Sequence, residues 1–233
     1  MAYSQQALKE QVAKAAVEYI LPLLSPTAVI GVGTGSTADL FIDELAKHKQ
    51  QFKAAVASSE RSAKRLADHG ILVLDLNEVE SMPVYVDGAD EINAQLQMIK
   101  GGGGALTREK MVASVAERFV CIVDESKLVE RLGAFKLPIE VLPMAINSVS
   151  RQIEKLGGVA RQRVGFITDN GNPIIDVEGF SVEDARELES TINQIPGVVC
   201  CGFFALSPAT IMIIGTQEGV KQLSHQPLSL QYL

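Results

Sequence analysis

Short apolar runs alternate with helical patterns along the first part of the chain, and this alternation constrains the fold more than any other feature. A first helix is predicted over residues 5–20, where apolar side chains form one stripe and two prolines follow. The apolar runs lie at 28–32, 54–57, 71–74, 84–86 and 119–123. Runs of this length separated by helices are typical of a parallel sheet that is covered on both faces. An α/β fold is therefore expected.

The rhythm changes after about Gly133. Strands are expected at 139–142, 159–164, 174–177 and 198–206, with helices at 145–156 and 182–192. This order of elements is typical of ferredoxin-like α+β domains. A further strand at 211–214 and a helix at 218–223 are expected to return to the first sheet. We therefore expect a Rossmann-like parallel-sheet domain over 1–132 and 210–233, with a smaller ferredoxin-like domain inserted at 133–209.

Composition excludes several classes of function. Lys and Arg number 21 and Asp and Glu 28, and a formal charge of −7 argues against a nucleic-acid binder, which needs a basic face. The N-terminus is polar and no apolar run is long enough for a membrane span, so a cytoplasmic protein without a signal peptide is expected. The cysteines and histidines are too few and too scattered to predict disulfides or a metal site; they are Cys121, Cys200, Cys201, His48, His69 and His225.

Polar and glycine-rich segments follow the apolar runs. Residues 33–37 follow the first run, 87–91 follow the run at 84–86, and 100–104 follow Met98 and Ile99. Lys127 comes soon after the run at 119–123. In an open parallel sheet, ligands bind beyond the carboxyl ends of the strands. If these strands are parallel neighbours, the four segments converge on one crevice.

The turn Gly33-Thr34-Gly35-Ser36-Thr37 suits an anion. Its glycines let the backbone approach a ligand, its hydroxyls can donate, and the helix that follows directs free N–H groups toward it. A dinucleotide fingerprint does not fit because Ser36 stands where the third glycine belongs. A Walker loop does not fit because Gly35 replaces the lysine. The turn thus fits a phosphate without a nucleotide, and an ordinary capped strand-to-helix turn is the alternative.

Five charged residues near these segments could carry acid–base chemistry. Asp87 and Asp90 lie three residues apart and could accept sugar hydroxyls or relay protons, although a capping turn would also use them. Glu109 lies in the first turn of a predicted helix, where it could be a base or only complement the helix dipole. Lys100 and Lys127 are candidates for holding an anion or a developing oxyanion, unless they are simply solvated.

The glycine run, a basic cluster and two adjacent cysteines are expected to have structural roles. The four glycines 101–104 indicate a backbone with unusual dihedral angles or a close contact, and a flexible loop is the alternative. The basic cluster of Arg61, Lys64 and Arg65 is expected to be a solvated helix face. Cys200 and Cys201 are expected to lie in the core.

The chain resembles the ribose-5-phosphate isomerases of the A type. The matching segments run in order over nearly the whole chain: GVGTGSTA at 31–38, YVDGADEIN at 85–93, MIKGGG at 98–103, ALTREK at 105–110, SK at 126–127, KLGG at 155–158, TDNGN at 168–172 and IPGV at 195–198. Together they make a specific signature. The resemblance implies an aldose–ketose isomerase that interconverts ribose 5-phosphate and ribulose 5-phosphate in the pentose phosphate pathway. It also implies no metal or other cofactor, a small sugar phosphate as the ligand, and a homodimer or a tetramer.

The resemblance also implies roles for individual residues. Glu109 would be the general base that carries a proton between C2 and C1 through an enediolate. Asp87 would assist ring opening or proton transfer between the oxygens, and Lys100 would stabilise the enediolate oxygen. Lys9 resembles a phosphate-contacting lysine. The substrate contacts would be Thr34, Gly35, Ser36, Thr37, Asp87, Gly88, Ala89, Asp90, Lys100, Gly101, Gly102, Gly103 and Lys127.

Two segments depart from the family pattern. Gly104 stands in place of a usual alanine, and residues 205–210 stand where a polar stretch is common. Two other functions remain alternatives on the residues alone, a non-catalytic sugar-phosphate sensor and a related sugar-phosphate enzyme such as a lactonase or an amino-sugar deaminase. A sensor would have no need of a base such as Glu109.

Overall fold

A computed structural model describes residues 3–224. The helices are α1 (Gln5–Ile20), α2 (Ser36–Leu45), α3 (Glu60–Asp68), α4 (Leu106–Val115), α5 (Ile146–Lys155) and α6 (Ala185–Asn193). The strands are β1 (Val29–Val32), β2 (Ala54–Ala57), β3 (Val84–Asp87), β4 (Glu91–Ile92), β5 (Met98–Ile99), β6 (Phe119–Asp124), β7 (Leu137–Val141), β8 (Val159–Gln162), β9 (Ile174–Glu178), β10 (Val198–Cys201), β11 (Phe203–Phe204), β12 (Ile211–Thr216) and β13 (Gly219–Ser224). His225 and the rest of the predicted 210–233 segment beyond Ser224 lie outside the described residues.

A mainly parallel six-stranded sheet organises the first part of the chain. Its strand order is β13-β12-β6-β3-β1-β2, and each pair is parallel except β12–β13. Side chains of α1, α2 and α3 cover one face, among them Ile20, Phe41 and Leu66. Tyr85 and Val112 belong to the apolar cluster on the other face. The predicted α/β fold is confirmed, because the strands alternate with helices and are buried from both sides.

The second unit is a four-stranded antiparallel sheet with two helices. Its strand order is β10-β7-β9-β8, and its elements follow the predicted order of strand, helix, strand, strand, helix and strand. Val149 and Ile153 of α5 and Ile192 of α6 pack onto this sheet in a third apolar cluster. Residues three and four apart on these helices therefore share a buried face.

The helix predicted at 218–223 is wrong, because these residues belong to β13. Thr216 and Gly219 pair across a two-residue turn, and Gly219 has a φ of +116° that glycine adopts without strain. Val220 and Leu223 are three residues apart, a spacing that a short helix shares. Hairpin pairing with β12 decides the conformation here, and no local pattern reveals such pairing.

Two predicted strands also differ. The run at 71–74 contributes a single bridge, Val73 to Ala55, instead of a strand of the sheet. The run at 198–206 is divided at Gly202 into β10 and β11. The Lys100 carbonyl oxygen would lie 2.4 Å from a Cβ at position 202, so only glycine permits this approach. The Gly202 carbonyl accepts from the Lys100 N–H at 2.9 Å, which joins β11 to β5 beside the main sheet.

No helix within residues 3–224 has the length and apolar character needed to cross a membrane.

Candidate active site

A cavity of about 310 Å³ lies at the carboxyl ends of β1, β3 and β6. All but one of the predicted site residues line it: Thr34, Gly35, Ser36, Thr37, Gly88, Ala89, Asp90, Lys100, Gly101, Gly102, Gly103, Glu109 and Lys127. Asp87 is the exception and is completely buried beneath it. Lys100 does not follow a strand of the parallel sheet, because β5 belongs to a separate three-stranded sheet. Three of the four segments converge as their positions after parallel strands predict, and residues 100–104 reach the same cavity from the separate sheet.

One end of the cavity lies at the N-terminus of α2. Gly35 caps α2 with a φ of +132°, and Ser36 and Thr37 open the first turn of that helix. Lys9 reaches across from α1, and its Nζ donates to Ser36 Oγ at 3.0 Å. Free N–H groups, hydroxyls and an ammonium group at a helix N-terminus are the groups that bind phosphate in many proteins.

Asp87 is held by four donors. Lys100 Nζ and the Tyr85 hydroxyl donate to Oδ2 at 2.6 and 2.5 Å. The N–H groups of Thr34 and Gly88 donate to Oδ1 at 3.0 and 2.7 Å. A Cβ at position 33 would lie 1.9 Å from this carboxyl group, so Gly33 is the residue that makes room for it. The buried carboxylate thus holds Lys100 and the backbone of the turn at 33–37 in place beneath the cavity.

Lys100 and Glu109 form the charged centre of the site. Lys100 Nζ lies 3.3 Å from Glu109 Oε2 and also donates to the Gly88 carbonyl at 2.6 Å. Burial lowers the pKa of Lys100, but the carboxylates of Asp87 and Glu109 outweigh this effect and raise the pKa above its ordinary value. Lys100 therefore keeps its proton and presents a buried positive charge to the cavity.

Glu109 is a buried carboxyl group with a raised pKa. It is only 4% exposed, and no group within residues 3–224 donates a hydrogen bond to its Oε2. Burial raises the pKa of Glu109 to about 8; Lys100 opposes this shift, and Asp87 and Asp90 add to it. A carboxylate with a raised pKa and a free lone pair accepts a proton more readily than an exposed one.

The second unit fixes the helix that carries Glu109. Thr107 donates to Glu140 at 2.5 Å, and Arg108 donates to the Asp169 carbonyl at 2.9 Å. Lys110 Nζ lies 2.5 Å from Glu189 Oε1. These contacts lie on both sides of Glu109 in the chain, so they set the position of α4 relative to the cavity.

Several lining residues were not predicted from the sequence. Ser59 and Arg61 border the cavity, as do Phe166, Ile167 and Asp169 of the β8–β9 loop. Arg61 is exposed on α3, as expected for a solvated helix face, and it also pairs with Asp39 beside the cavity. A family-like TDNGN segment marked the β8–β9 loop, but nothing local indicated that it reaches the other unit.

The other two basic residues of the cluster behave as expected. Lys64 forms an exposed pair with Asp68, and Arg65 pairs with a half-exposed Asp43. The part of the chain that the structure describes holds no group of three or more His, Cys, Asp or Glu side chains suited to a metal ion. Cys200 and Cys201 are buried, as predicted.

Comparisons with known proteins point to one family. The sequence model of ribose 5-phosphate isomerase A (phosphoriboisomerase A) matches residues 54–219. The ribose-5-phosphate isomerase A of Bordetella avium is 62% identical over 221 residues, which cover 95% of this chain and 99% of that protein. The corresponding protein of Bordetella petrii is 63% identical and covers 94% of this chain and 98% of its own length.

Solved structures show the same fold. Ribose 5-phosphate isomerase A from Neisseria gonorrhoeae has a TM-score of 0.93 and 45% identity over 97% of this chain and all of that one. A ribose-5-phosphate isomerase solved in complex with phospho-erythronic acid has a TM-score of 0.90 and 37% identity, with 96% of this chain and all of that one covered. With motifs, fold and full-length identity in agreement, this chain belongs to the ribose-5-phosphate isomerase A family.

Proposed function

We propose that this protein interconverts ribose 5-phosphate and ribulose 5-phosphate, with Glu109 as the base. The observation that carries the assignment is the buried Glu109 carboxylate, with an oxygen free of hydrogen bonds, 3.3 Å from the buried Lys100 ammonium. An aldose–ketose isomerase needs one base that takes and returns a proton, with positive charge near the oxygen that becomes anionic. High identity to isomerases over almost the whole chain supports the same activity.

The substrate phosphate is assigned to the α2 end of the cavity. Gly35, Ser36 and Thr37 supply backbone and hydroxyl donors there, and Lys9 supplies a cation beside them. Lys127 lines the same cavity and adds a second positive charge. A solved relative binds phospho-erythronic acid, a phosphorylated sugar acid, which supports a sugar phosphate as the ligand here. With the phosphate so placed, the carbon chain extends toward Lys100 and Glu109.

The proton then moves in two steps. Glu109 takes the proton from C2 of the open-chain aldose, and the electron pair forms the C1–C2 double bond while the carbonyl oxygen becomes an oxyanion. The Lys100 ammonium stabilises that oxyanion. A proton passes from the C2 oxygen to the C1 oxygen, and Glu109 returns its proton to C1 to give the ketose.

Asp90 and the glycine loop complete the sugar site in this proposal. The Gly102 N–H donates to Asp90 Oδ2 at 2.7 Å, which orders the loop beside the cavity. Ring opening by Asp87 would require its carboxylate to release one of its four donors. We therefore assign Asp87 to holding Lys100 in place, with any proton transfer between sugar oxygens left to groups that line the cavity.

The remaining assignments rest on the family resemblance for the oligomer and the metal, and on the charge and polarity of the sequence for location and for other partners. They are a homodimer or tetramer in the cytoplasm, with no metal requirement and no nucleic-acid or membrane partner. Light scattering after size-exclusion chromatography would decide the oligomeric state.

A direct assay tests the proposed function. Purified protein in EDTA should convert ribose 5-phosphate to ribulose 5-phosphate without added metal. Replacement Glu109→Gln should lower kcat by about 10²- to 10⁴-fold, because it removes the base and keeps the shape. The control is Glu117→Gln, which changes an exposed carboxylate close to the end of the same helix. Unchanged turnover in E109Q would contradict the assignment, and binding without turnover in the wild type would favour a sensor.

A further inference from the structure

The loop between β8 and β9 reaches from the second unit to the base end of the cavity. Phe166, Ile167 and Asp169 of this loop line the cavity together with Gly104, Ala105 and Glu109. The Glu109 N–H donates to the Ala105 carbonyl at 2.9 Å, so Glu109 lies one helical turn from the backbone beside the loop. The second unit therefore supplies part of the wall near the base.

The Phe166 ring lies directly on the glycine run. A Cβ at position 104 would lie 2.1 Å from the ring, so the ring fills the space above the backbone of Gly104. The Arg163 guanidinium stacks over the ring at 5.2 Å from its centroid. Arg163 itself donates to Asp176 at 2.5 and 2.9 Å and to the Gly102 carbonyl at 3.2 Å. The ring is thus held between a glycine backbone and a cation that is fixed by a carboxylate.

Hydrogen bonds to Glu140 hold the part of the β8–β9 loop that follows Phe166. The buried Glu140 carboxylate accepts from Thr168 at 3.0 Å, from Asn170 at 3.1 Å and from Asn172 at 2.9 Å. The same carboxylate accepts from Thr107, which precedes Glu109 by two residues. One buried group therefore sets both the loop that carries Phe166 and the helix that carries Glu109.

We propose that Phe166 is a positioning residue that screens the proton held on Glu109 from bulk water, so that the proton taken from one carbon is returned to the next. This inference rests on the proposed isomerase function. A carboxylic acid in contact with water exchanges its proton rapidly, whereas an apolar wall that excludes water slows this exchange. The charged groups that face Glu109 are Lys100, Asp87 and Asp90, whereas the cation stacked on the ring is Arg163.

The partition of the proton can be measured directly. The wild type and the variants are given ribose 5-phosphate in heavy water, and ribulose 5-phosphate is analysed at low conversion for deuterium at C1. Phe166→Ala should raise the exchanged fraction several-fold over the wild type. Phe166→Leu keeps an apolar side chain and should give an intermediate value. Val164→Ala is the control, because that side chain is 93% exposed on the same loop and should leave the fraction unchanged.

The deuterium fractions decide whether Phe166 screens the proton on Glu109. Equal deuterium fractions in the wild type, F166A and F166L, or complete exchange already in the wild type, would overturn the screening role. If F166A does not fold, the comparison of F166L with V164A decides by the same criterion. Failure of the wild type to isomerise ribose 5-phosphate would instead refute the proposed function, so the two failures are distinguishable.

Discussion

At Glu109, burial and neighbouring charge act on one carboxyl group in opposite directions. Loss of water raises its pKa, and the Lys100 ammonium lowers it, with the balance at about 8. Asp87 prevents Lys100 from neutralising this shift fully, because its own carboxylate shares the same ammonium. In the proposed mechanism, this balance lets Glu109 hold a proton between two steps and still release it to carbon.

The pH dependence of kcat/KM follows from this balance. Glu109 acts as a carboxylate, so kcat/KM should fall about tenfold per pH unit below a midpoint near pH 8. The phosphate of the substrate titrates at about pH 6 and therefore affects a lower pH range. Asp90→Asn removes a charge that raises the Glu109 pKa and should move the midpoint to lower pH. Steady-state kcat/KM values of the wild type and of D90N, measured across this pH range, test both expectations. A wild-type midpoint near the ordinary glutamate pKa would contradict a raised pKa for Glu109.

Gly104 offers a prediction about stability. It has a φ of +86°, and a Cβ at this position would meet the Phe166 ring at 2.1 Å. Replacement Gly104→Ala should lower the free energy of unfolding by about 1–2 kcal/mol because of backbone conformation and the displaced ring. Gly103→Ala is the matched control, since a Cβ at that position would meet no atom within 4 Å and its φ is ordinary. Urea denaturation measures both variants, and equal stabilities would show that the ring yields freely.

At the scale of elements, side-chain hydrogen bonds join α4 of the first unit to the second unit. Lys110 Nζ donates to Glu189 at 2.5 Å and to the carbonyls of Phe203 and Cys201 at 2.6 and 3.1 Å. Glu189 in turn accepts from the N–H groups of Ala205 and Leu206. The helix that carries Glu109 is therefore anchored to α6 and to the β10–β11 segment.

Loss of this anchor should cost both stability and turnover. Lys110→Met keeps the length of the side chain and leaves the buried Glu189 carboxylate without its ammonium, so the free energy of unfolding should fall by about 3 kcal/mol. Lys64→Met removes an exposed pair with Asp68 and should change it by less than about 1 kcal/mol. Chemical denaturation and kcat are measured on both, and equal losses would show that Lys110 is an ordinary surface contact.

Elements defined by local pattern could be predicted, and those defined by distant pairing could not. The helix predicted at 5–20 coincides with α1, because its apolar stripe is a local property. Convergence of Thr34, Asp87 and Lys127 was predictable because β1, β3 and β6 are parallel neighbours. β13 and the contact of Phe166 with the cavity were not predictable, because each depends on pairing or packing between two segments that no local sequence pattern reveals.

At the scale of the whole molecule, we propose the two domains predicted from the sequence, 1–132 with 210–233, and 133–209. Contacts cross this boundary at several places. β11 of the second segment pairs with β5 of the first, and Ile99 belongs to the apolar cluster of the second sheet. Glu140 and Thr107 join the units beside the cavity. We infer that the site depends on both domains being folded and docked.

Unfolding should therefore be a single transition. The chain has no tryptophan, and its tyrosines (Tyr3, Tyr19, Tyr85 and Tyr232) all lie in the first proposed domain. Tyrosine fluorescence then follows that domain, while far-ultraviolet circular dichroism follows both. The two urea transitions should coincide, because contacts across the boundary couple the domains. A dichroism transition without a matching change in tyrosine fluorescence would show that residues 133–209 unfold independently.

The close approach of Gly33 to Asp87 also limits how this chain can evolve. Any side chain at position 33 would overlap the carboxyl group at 87, so a mutation there fails while the aspartate remains. Loss of the aspartate would take from the buried Lys100 its nearest counter-charge. Each single change is thus harmful by itself, and a change at both positions would still leave Lys100 without this counter-charge. Positions 33 and 87 are therefore expected to stay constant among relatives, while the surface residues around them vary.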